Sequence, residues 1–169
     1  MDAIEMILTR RSIRRYQAEP VVEEQVKKMM ECAMAAPSAG NQQPWQFVVV
    51  DDRATLDAIT TVQTHSMMLK EATLAIIVCG DSTTWKIPSM WVCDCSAATQ
   101  NILLAARALG LGSCWCGVYP NQSVMSGLRG LLGIPETVSP FSIIAIGHPG
   151  EEKPAANRYN EARVHRNRW

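Results

Sequence analysis

Residues 92–109 read VCDCSAATQNILLAARAL, and this stretch decides the fold. It predicts the longest helix of the chain, and Gly110 is placed to end that helix. Small and apolar side chains fall on nearly every side of it, and a helix that is apolar all round is buried all round. One domain of this size rarely encloses a helix completely, so we expect a second subunit to cover part of it. Ala98 is the residue that we expect at this covered contact.

Helical and strand patterns alternate on both sides of this stretch. The predicted helices, after a short first helix capped by Asp2, cover 23–35, 54–63 and a segment that begins at Asn121 or Ser123 and ends at Leu132. The predicted strands cover 46–50, 74–80, 113–118 and 142–147. The second strand is apolar on both faces, which is typical of a central strand. The order predicts an α/β or α+β layered fold, with one domain over residues 1–169.

Composition excludes several classes of protein. The 169 residues include 16 basic and 16 acidic side chains, and 47% are hydrophobic. This apolar content suits a packed core, and the zero net charge argues against a general nucleic-acid binder. No apolar run approaches the ~18–20 residues that a membrane span needs, and no secretory signal is recognisable at the N-terminus. We therefore expect a soluble cytoplasmic protein that binds neither nucleic acid nor membrane.

Four of the cysteines form two pairs of the type C-x-C, namely Cys93/Cys95 and Cys114/Cys116. Zinc sites usually space their thiols as C-x2-4-C, and no histidine lies near either pair in the sequence. Reduced thiols are the rule in the cytosol. We expect no metal site and no disulfide.

Basic residues are concentrated at the two ends of the chain. Eight of the sixteen lie there: Arg10, Arg11, Arg14, Arg15, Arg158, Arg163, Arg166 and Arg168. Arginine forms forked hydrogen bonds to phosphate, so one compact dianion shared by both ends would explain the clusters. Two solvated surface clusters are the commoner explanation for charge runs. Composition alone leaves both open.

Two further segments have the composition of ligand-binding loops. Residues 37–45 offer hydroxyl and amide groups beside Trp45, which suits either the polar edge of a heterocycle or an ordinary turn. Residues 110–117 read GLGSCWCG, and small residues let a flat ligand approach the backbone. The stretch matches neither the dinucleotide-binding nor the P-loop glycine pattern.

Four segments, taken in order, resemble the motifs of the FMN-dependent nitroreductase family. Residues 10–16, RRSIRRY, resemble its opening R-R-S-x-R-x-[FY]. Residues 36–45, APSAGNQQPW, resemble its A-P-S-x-x-N-x-Q-P-W loop. Residues 110–117 resemble G-L-G-[ST]-C-W-x-G, and residues 161–165, EARVH, resemble the C-terminal E-x-R-x-H. The resemblance spans nearly the whole chain.

The resemblance implies a fold and an assembly. Proteins of this family are homodimers with a three-layer α+β fold, in which helices flank a small mixed β-sheet. Two FMN molecules lie at the dimer interface. The helix over 92–109 would pack at the subunit contact.

The resemblance also implies which residues bind the flavin. The phosphate and ribityl chain would be held by Arg10, Arg11 and Ser12, and the pyrimidine end, near N1 and O2, by Arg14. The residues of the other subunit that approach the ring would be Pro37, Ser38, Ala39 and Asn41. The backbone N–H of Cys116, followed by Gly117, would face N5. Arg163, with His165 as a further candidate, would close on the phosphate. His65 stands where larger members have Asn and Lys, and is a possible flavin contact.

The implied activity is that of an FMN-dependent NAD(P)H oxidoreductase. Hydride would pass from NADH or NADPH to flavin N5 and then to a nitroaromatic, quinone or similar acceptor, in a ping-pong mechanism. No side chain is assigned a catalytic role beyond the flavin contacts. The alternatives are an enone or azo reductase, a flavin-dependent dehydrogenase on the same scaffold, a non-catalytic FMN-binding module, or an anion- or nucleic-acid-binding domain without flavin.

Overall fold

Four strands form one sheet in the computed structural model, which describes residues 2–169. The strands are β1 (Trp45–Val50), β2 (Leu74–Asp81), β3 (Gly112–Gly117) and β4 (Val138–Gly147), in the spatial order β1-β2-β4-β3. The helices are α1 (Ala3–Thr9), α2 (Glu23–Met34), α3 (Arg53–Val62), α4 (Trp91–Ala108) and α5 (Gln122–Leu132). All the predicted elements are present.

The two faces of the sheet bury two separate cores. Along β2, Ala75, Ile77 and Cys79 pack into a core with α3 and α5. The alternate residues of β2, from Leu74 to Val78, pack into a core with α2 and α4. This alternation follows from the two-residue period of a strand. The three-layer α+β prediction and the central position of β2 are confirmed.

The sheet differs from the expected mixed sheet in the direction of its strands. All three pairings between the four strands are antiparallel. Parallel pairing occurs in the isolated bridge between Ser12 and Ser113, where the N–H of Ile13 donates to the carbonyl of Ser113 at 3.0 Å. The sheet is mixed only through this bridge, which attaches the basic N-terminal segment to the edge of β3.

Helix α4 is buried mainly by its own chain. Ala98 has no exposed surface and lies in the core with α2, so its expected position at a subunit contact is wrong. Cys93, Ala97, Leu104 and Ala108 keep exposed or half-buried side chains and form an outer stripe at the spacing of a helix face. No helix within residues 2–169 has the length and apolarity needed to cross a bilayer.

Helix α1 is short and packs poorly against its own chain. It has seven residues, none of them buried, and Asp2 caps it by accepting a hydrogen bond from the N–H of Glu5. Ile4, Ile7 and Leu8 are all more than half exposed. Isolated helices of this length are marginal in water, so this apolar face lacks the packing that would stabilise the helix.

Candidate functional site

The predicted site residues lie at opposite edges of the sheet. The loop at 37–44 leads into β1, whereas Cys116 and Gly117 end β3. Two strands separate these edges, and neighbouring strands are ~4.8 Å apart, which places the edges about 14 Å from one another. One chain therefore does not bring the two groups of residues into one pocket.

A cavity of about 340 Å³ lies beside the start of β3, and cations outnumber carboxylates in its wall. Its cationic lining residues are Arg10, Arg11, Arg107 and Lys153, and its acidic ones are Glu152 and Glu151, which is ion-paired with Lys153 at 3.0 Å. Burial, followed by the nearby charges of Arg158 and Arg11, lowers the pKa of Arg10. The Nε of Arg107 is buried and has no hydrogen-bond partner in the described chain. This concentration of positive charge, with an unpaired buried donor, suits a phosphate group.

Residues of the turn at 149–154 hold the basic segment in place. Arg11 donates to the carbonyl of Pro154 at 3.0 Å, and Lys153 donates to the carbonyl of Ser12 at 2.8 Å. The carboxylate of Glu151 accepts from the N–H of Arg14 at 2.6 Å, and this bond lowers the pKa of Glu151. Arg107, Glu151 and Lys153 were not predicted from the sequence, because no local pattern links them to residues 10–14.

A second, more open cavity of about 350 Å³ brings Arg14 and His65 together. Met67 and Met68 supply an apolar wall. Its other cation, Arg15, forms an ion pair with Glu71 at 2.5 Å, whereas Arg14 has no ion pair among the described residues. An apolar wall with one cation at its rim suits a flat ring that has a polar edge. His65 lines this cavity, and its contact with the flavin remains a prediction.

The open edge of β3 presents the backbone of every second residue. The carbonyl of Ser113 points away from β4, since it accepts from Ile13. The carbonyl of Gly117 accepts from Nε2 of Gln63 at 2.6 Å on the same edge. Strand alternation therefore directs the N–H of Gly117 outward and places the N–H of Cys116 in the ladder with β4. The backbone N–H that points outward is therefore that of Gly117. The sequence assigned the contact with flavin N5 to the N–H of Cys116, which is directed at β4 instead.

The loop at 37–44 has an unusual backbone. Gly40, Asn41 and Gln43 have φ values of 55°, 52° and 47°, which is the left-handed region that L side chains rarely adopt. Ser38 accepts from the N–H of Gln43 at 3.0 Å. Pro37 and Asn41 are exposed, and Ser38 and Ala39 are half-buried, so the loop offers polar groups to its surroundings.

The C-terminal tail leaves two predicted residues away from both cavities. Arg163 and His165 are exposed and line neither cavity, and the His165 ring stacks on Trp169 at a centroid distance of 4.2 Å. Arg158 is the tail residue whose charge acts on Arg10. The phosphate contact of Arg163 and the role of His165 remain predictions.

Cys114 and Cys116 share one face of β3 and are buried. The neighbouring Cys116 thiol, followed by the charge of Arg14 and the Ser12 hydroxyl, lowers the pKa of Cys114 against the effect of burial. The same pairing with Cys114, together with burial, raises the pKa of Cys116, whose thiol donates to the carbonyl of His65 at 3.5 Å. Within residues 2–169, no three His, Cys, Asp or Glu side chains are grouped as a metal ion would require. All six cysteines are free thiols.

We expect Cys114 of the folded protein to ionise at a lower pH than an ordinary thiol, visible as ultraviolet thiolate absorbance that persists below the pH at which a free cysteine loses it. Because the folded pKa lies below that of an unfolded thiol, the stabilisation is complete above the unfolded pKa and is lost as the pH falls to the folded one. Cys114→Ser should remove the titration. Cys79→Ser is the matched control, because burial raises the pKa of Cys79 to about 12. A wild-type titration curve with no step below the pH range of a free thiol would contradict the assignment.

Comparison with known proteins places this geometry in a family. The sequence model of the nitroreductase family matches residues 7–86 and 68–148. A protein of Archaeoglobus fulgidus, provisionally named an NADH dehydrogenase/NAD(P)H nitroreductase, is 50% identical over 99% of both chains. An FMN-dependent nitroreductase of Clostridium difficile has a TM-score of 0.91 and 34% identity, and the match covers 98% of this chain and 99% of that one. A provisionally named nitroreductase of Desulfovibrio desulfuricans, solved in complex with FMN, has a TM-score of 0.85 and 29% identity, over 100% and 99% of the two chains.

Proposed function

The chain belongs to the nitroreductase family, and from this premise we propose a homodimeric enzyme that reduces a nitroaromatic, quinone or similar acceptor with NADH or NADPH. Membership makes it an FMN-dependent NAD(P)H oxidoreductase. One observation carries the proposal: the segment from Arg10 to Arg14 joins a basic cavity to an open cavity with an apolar wall. A phosphate at one end and a flat ring at the other are the two ends of FMN.

The residues present fit the cofactor. Arg10, Arg11 and Lys153 surround the space for the phosphate, and the buried Nε of Arg107 lacks a hydrogen-bond partner that a phosphate oxygen would supply. In the sequence, Ser12 comes between the N-terminal arginines that line the first cavity and those that line the second. Its bridge to Ser113 attaches this segment to β3. Arg163 of the tail would add a further cation.

The ring would lie along the open edge of β3. Gly117 turns its N–H outward there, where it would donate to N5. Arg14, whose N–H is fixed by Glu151, would place its positive charge at the N1 and O2 end and favour added negative charge there. His65 would contact the same end of the ring. Bound FMN supplies the hydride chemistry, alternating between nicotinamide and acceptor in ping-pong order.

A second subunit would complete the site. Pro37, Ser38, Ala39 and Asn41 lie at the β1 edge, and a twofold copy can bring the β1 edge of one chain to the β3 edge of the other. The exposed apolar face of α1 and the outer stripe of α4 offer surface for that contact. We place the enzyme in the cytoplasm, since free thiols are typical of that compartment.

An anaerobic titration tests the function. Protein purified with its flavin should lose its visible flavin absorbance when NADH or NADPH is added, and should regain it when a nitroaromatic or quinone follows. Steady-state rates at several acceptor concentrations should give parallel double-reciprocal lines, as a ping-pong order requires. Bound flavin that neither nicotinamide reduces would favour a non-catalytic FMN-binding module. Protein that takes up no flavin would overturn the proposal.

A further inference from the structure

A buried carboxylate on α4 is bonded to the loop that precedes β1. Asp94 is 3% exposed. One of its oxygens accepts from the N–H of Ala39 at 2.9 Å, and the other accepts from Nε2 of Gln42 at 2.5 Å. Both donors belong to the loop at 37–44, so a single side chain of the helix fixes this loop at two points.

Gln42 extends the connection to a third segment. Its side chain is also buried, and its Oε1 accepts from the backbone N–H groups of Lys86 and Ile87, both at 2.9 Å. Its Nε2 also approaches the carbonyl of Ile87 at 3.3 Å. The amide therefore has its acceptor and donor sides fixed by different partners, and it cannot be turned over without setting donor against donor. Loop, α4 and the segment before α4 form one hydrogen-bonded unit.

The loop needs such support because its backbone is strained. Gly40, Asn41 and Gln43 are in the left-handed region, and two of them carry side chains. Non-glycine residues persist in this conformation only where the surroundings determine it. Gln42 lies between Asn41 and Gln43, so its side chain holds the middle of the strained stretch. The hydrogen bonds to Asp94 act on the same loop in which Asn41 is exposed and Ser38 is half-buried.

We propose that Asp94 and Gln42 are positioning residues, which act through the loop at 37–44 to hold Ser38, Ala39 and Asn41 ready for the flavin ring bound by the partner subunit. This inference rests on the proposed function for its ligand. It assigns no contact between Asp94 and the flavin. Its experimental signature is a loss of affinity for the ring, with the phosphate contacts at Arg10 unchanged.

A side-chain exchange tests the pair, because the hydrogen-bond pattern predicts its outcome. Asp94→Asn sets an amide N–H₂ against that of Gln42, and Gln42→Glu sets two carboxylates against each other. In the double variant Gln42→Glu/Asp94→Asn, the carboxylate introduced at position 42 would still accept from residues 86 and 87. It would also accept from the amide introduced at position 94, whose oxygen would still accept from Ala39, so that only the long bond to the carbonyl of Ile87 is lost.

The affinities for FMN and riboflavin report the outcome of this exchange. Each single change should raise the dissociation constants of both ligands about tenfold or more, and by the same factor, because the loop faces the ring that the two ligands share. The double variant should return to near the wild-type values, because its hydrogen-bond donors again face acceptors.

Two controls separate positioning from general stability. Asp81→Asn makes the same chemical change in a carboxylate that caps the turn at Thr83, and it should leave flavin affinity unchanged. Amide hydrogen exchange of residues 38–43 should rise in each single variant and fall again in the double variant, with or without flavin.

The outcomes distinguish the two proposals. A wild-type protein that binds no flavin overturns the proposed function. If the wild type binds flavin and the single variants bind it with the same affinity, the positioning role is overturned, even if amide hydrogen exchange rises in the loop. If the single variants do not fold, a double variant that also fails to fold overturns the positioning role as well.

Discussion

A variant with Ile4→Glu and Leu8→Glu should be a monomer, and its affinity for FMN should be at least about a hundredfold below that of the native protein. The two side chains are 67% and 60% exposed in the isolated chain, and they lie one turn apart on the same face of α1. Burying an apolar side chain of this size contributes ~1.5–3 kcal/mol, and a twofold interface repeats each change on both sides. A monomer also lacks the loop of the partner, so the flavin site loses its second half.

Light scattering and equilibrium dialysis with FMN measure the two effects on one sample. Leu131→Glu is the matched control, since this residue is an exposed apolar side chain on α5, away from α1 and α4. Ala98→Glu does not serve this purpose, because Ala98 lies inside the chain and a charge there would disrupt the core in any assembly. A double glutamate variant that remains dimeric with full FMN affinity would contradict the interface. A monomer that binds FMN as the native protein does would contradict the shared site.

Ala98 was expected at a subunit contact but lies in the core of its own chain, because hydrophobic periodicity does not decide which side of a helix faces that core. Apolar residues on every side of α4 correctly predict that the helix is buried, but they do not indicate which side faces the sheet. The structure assigns the sides through tertiary packing, with Ala98 and Ile102 inward and Ala97 and Leu104 on the outer stripe. A helix with one polar face would have allowed that assignment from the sequence alone.

The early start of β4 has a local cause. The strand begins at Val138, four residues before the predicted start, and it includes Pro140, which lacks the N–H that a central strand needs. Pro140 pairs opposite Cys79, directly after a shift of register between Val78 and Cys79. A bulge is one of the few places in a sheet that accept proline. Pro140, which is unfavourable in a regular central strand, therefore marks an irregularity within β4.

The sequence motifs predict the residues that line the two cavities better than those that support them. Arg10 and Arg14 lie in a contiguous pattern, and the structure lines the two cavities with them. Asp94 and Gln42 are 52 positions apart, and only the folded chain brings their side chains within hydrogen-bond distance. Supporting contacts of this kind are tertiary, and no spacing along the chain indicates them.

Arg10→Ala and Arg14→Ala should separate the two ends of the flavin. Arg10 lies in the basic cavity, and a charge-assisted hydrogen bond contributes roughly 1.5–3 kcal/mol, or about tenfold to more than a hundredfold in affinity. Arg10→Ala should therefore lower FMN affinity by that factor and leave the weaker binding of riboflavin, which has no phosphate, nearly unchanged. Arg14 lies in the other cavity, so Arg14→Ala should weaken both ligands by a similar factor. It should also lower the midpoint potential of the bound flavin, because a cation near N1 stabilises the anionic reduced form.

The double change Arg15→Ala/Glu71→Ala is the control for both variants. The two side chains form an ion pair in the cavity of Arg14, so their joint removal keeps the local net charge and should change neither the ratio of FMN to riboflavin affinity nor the potential. Isothermal titration with the two ligands gives the ratio, and a redox titration with a reference dye gives the potential. Equal losses of FMN and riboflavin affinity in Arg10→Ala, or a wild-type potential in Arg14→Ala, would contradict the assigned ends. A general loss of stability would weaken FMN and riboflavin alike in both variants, so it cannot reproduce a loss that is confined in one variant to the ligand with the phosphate.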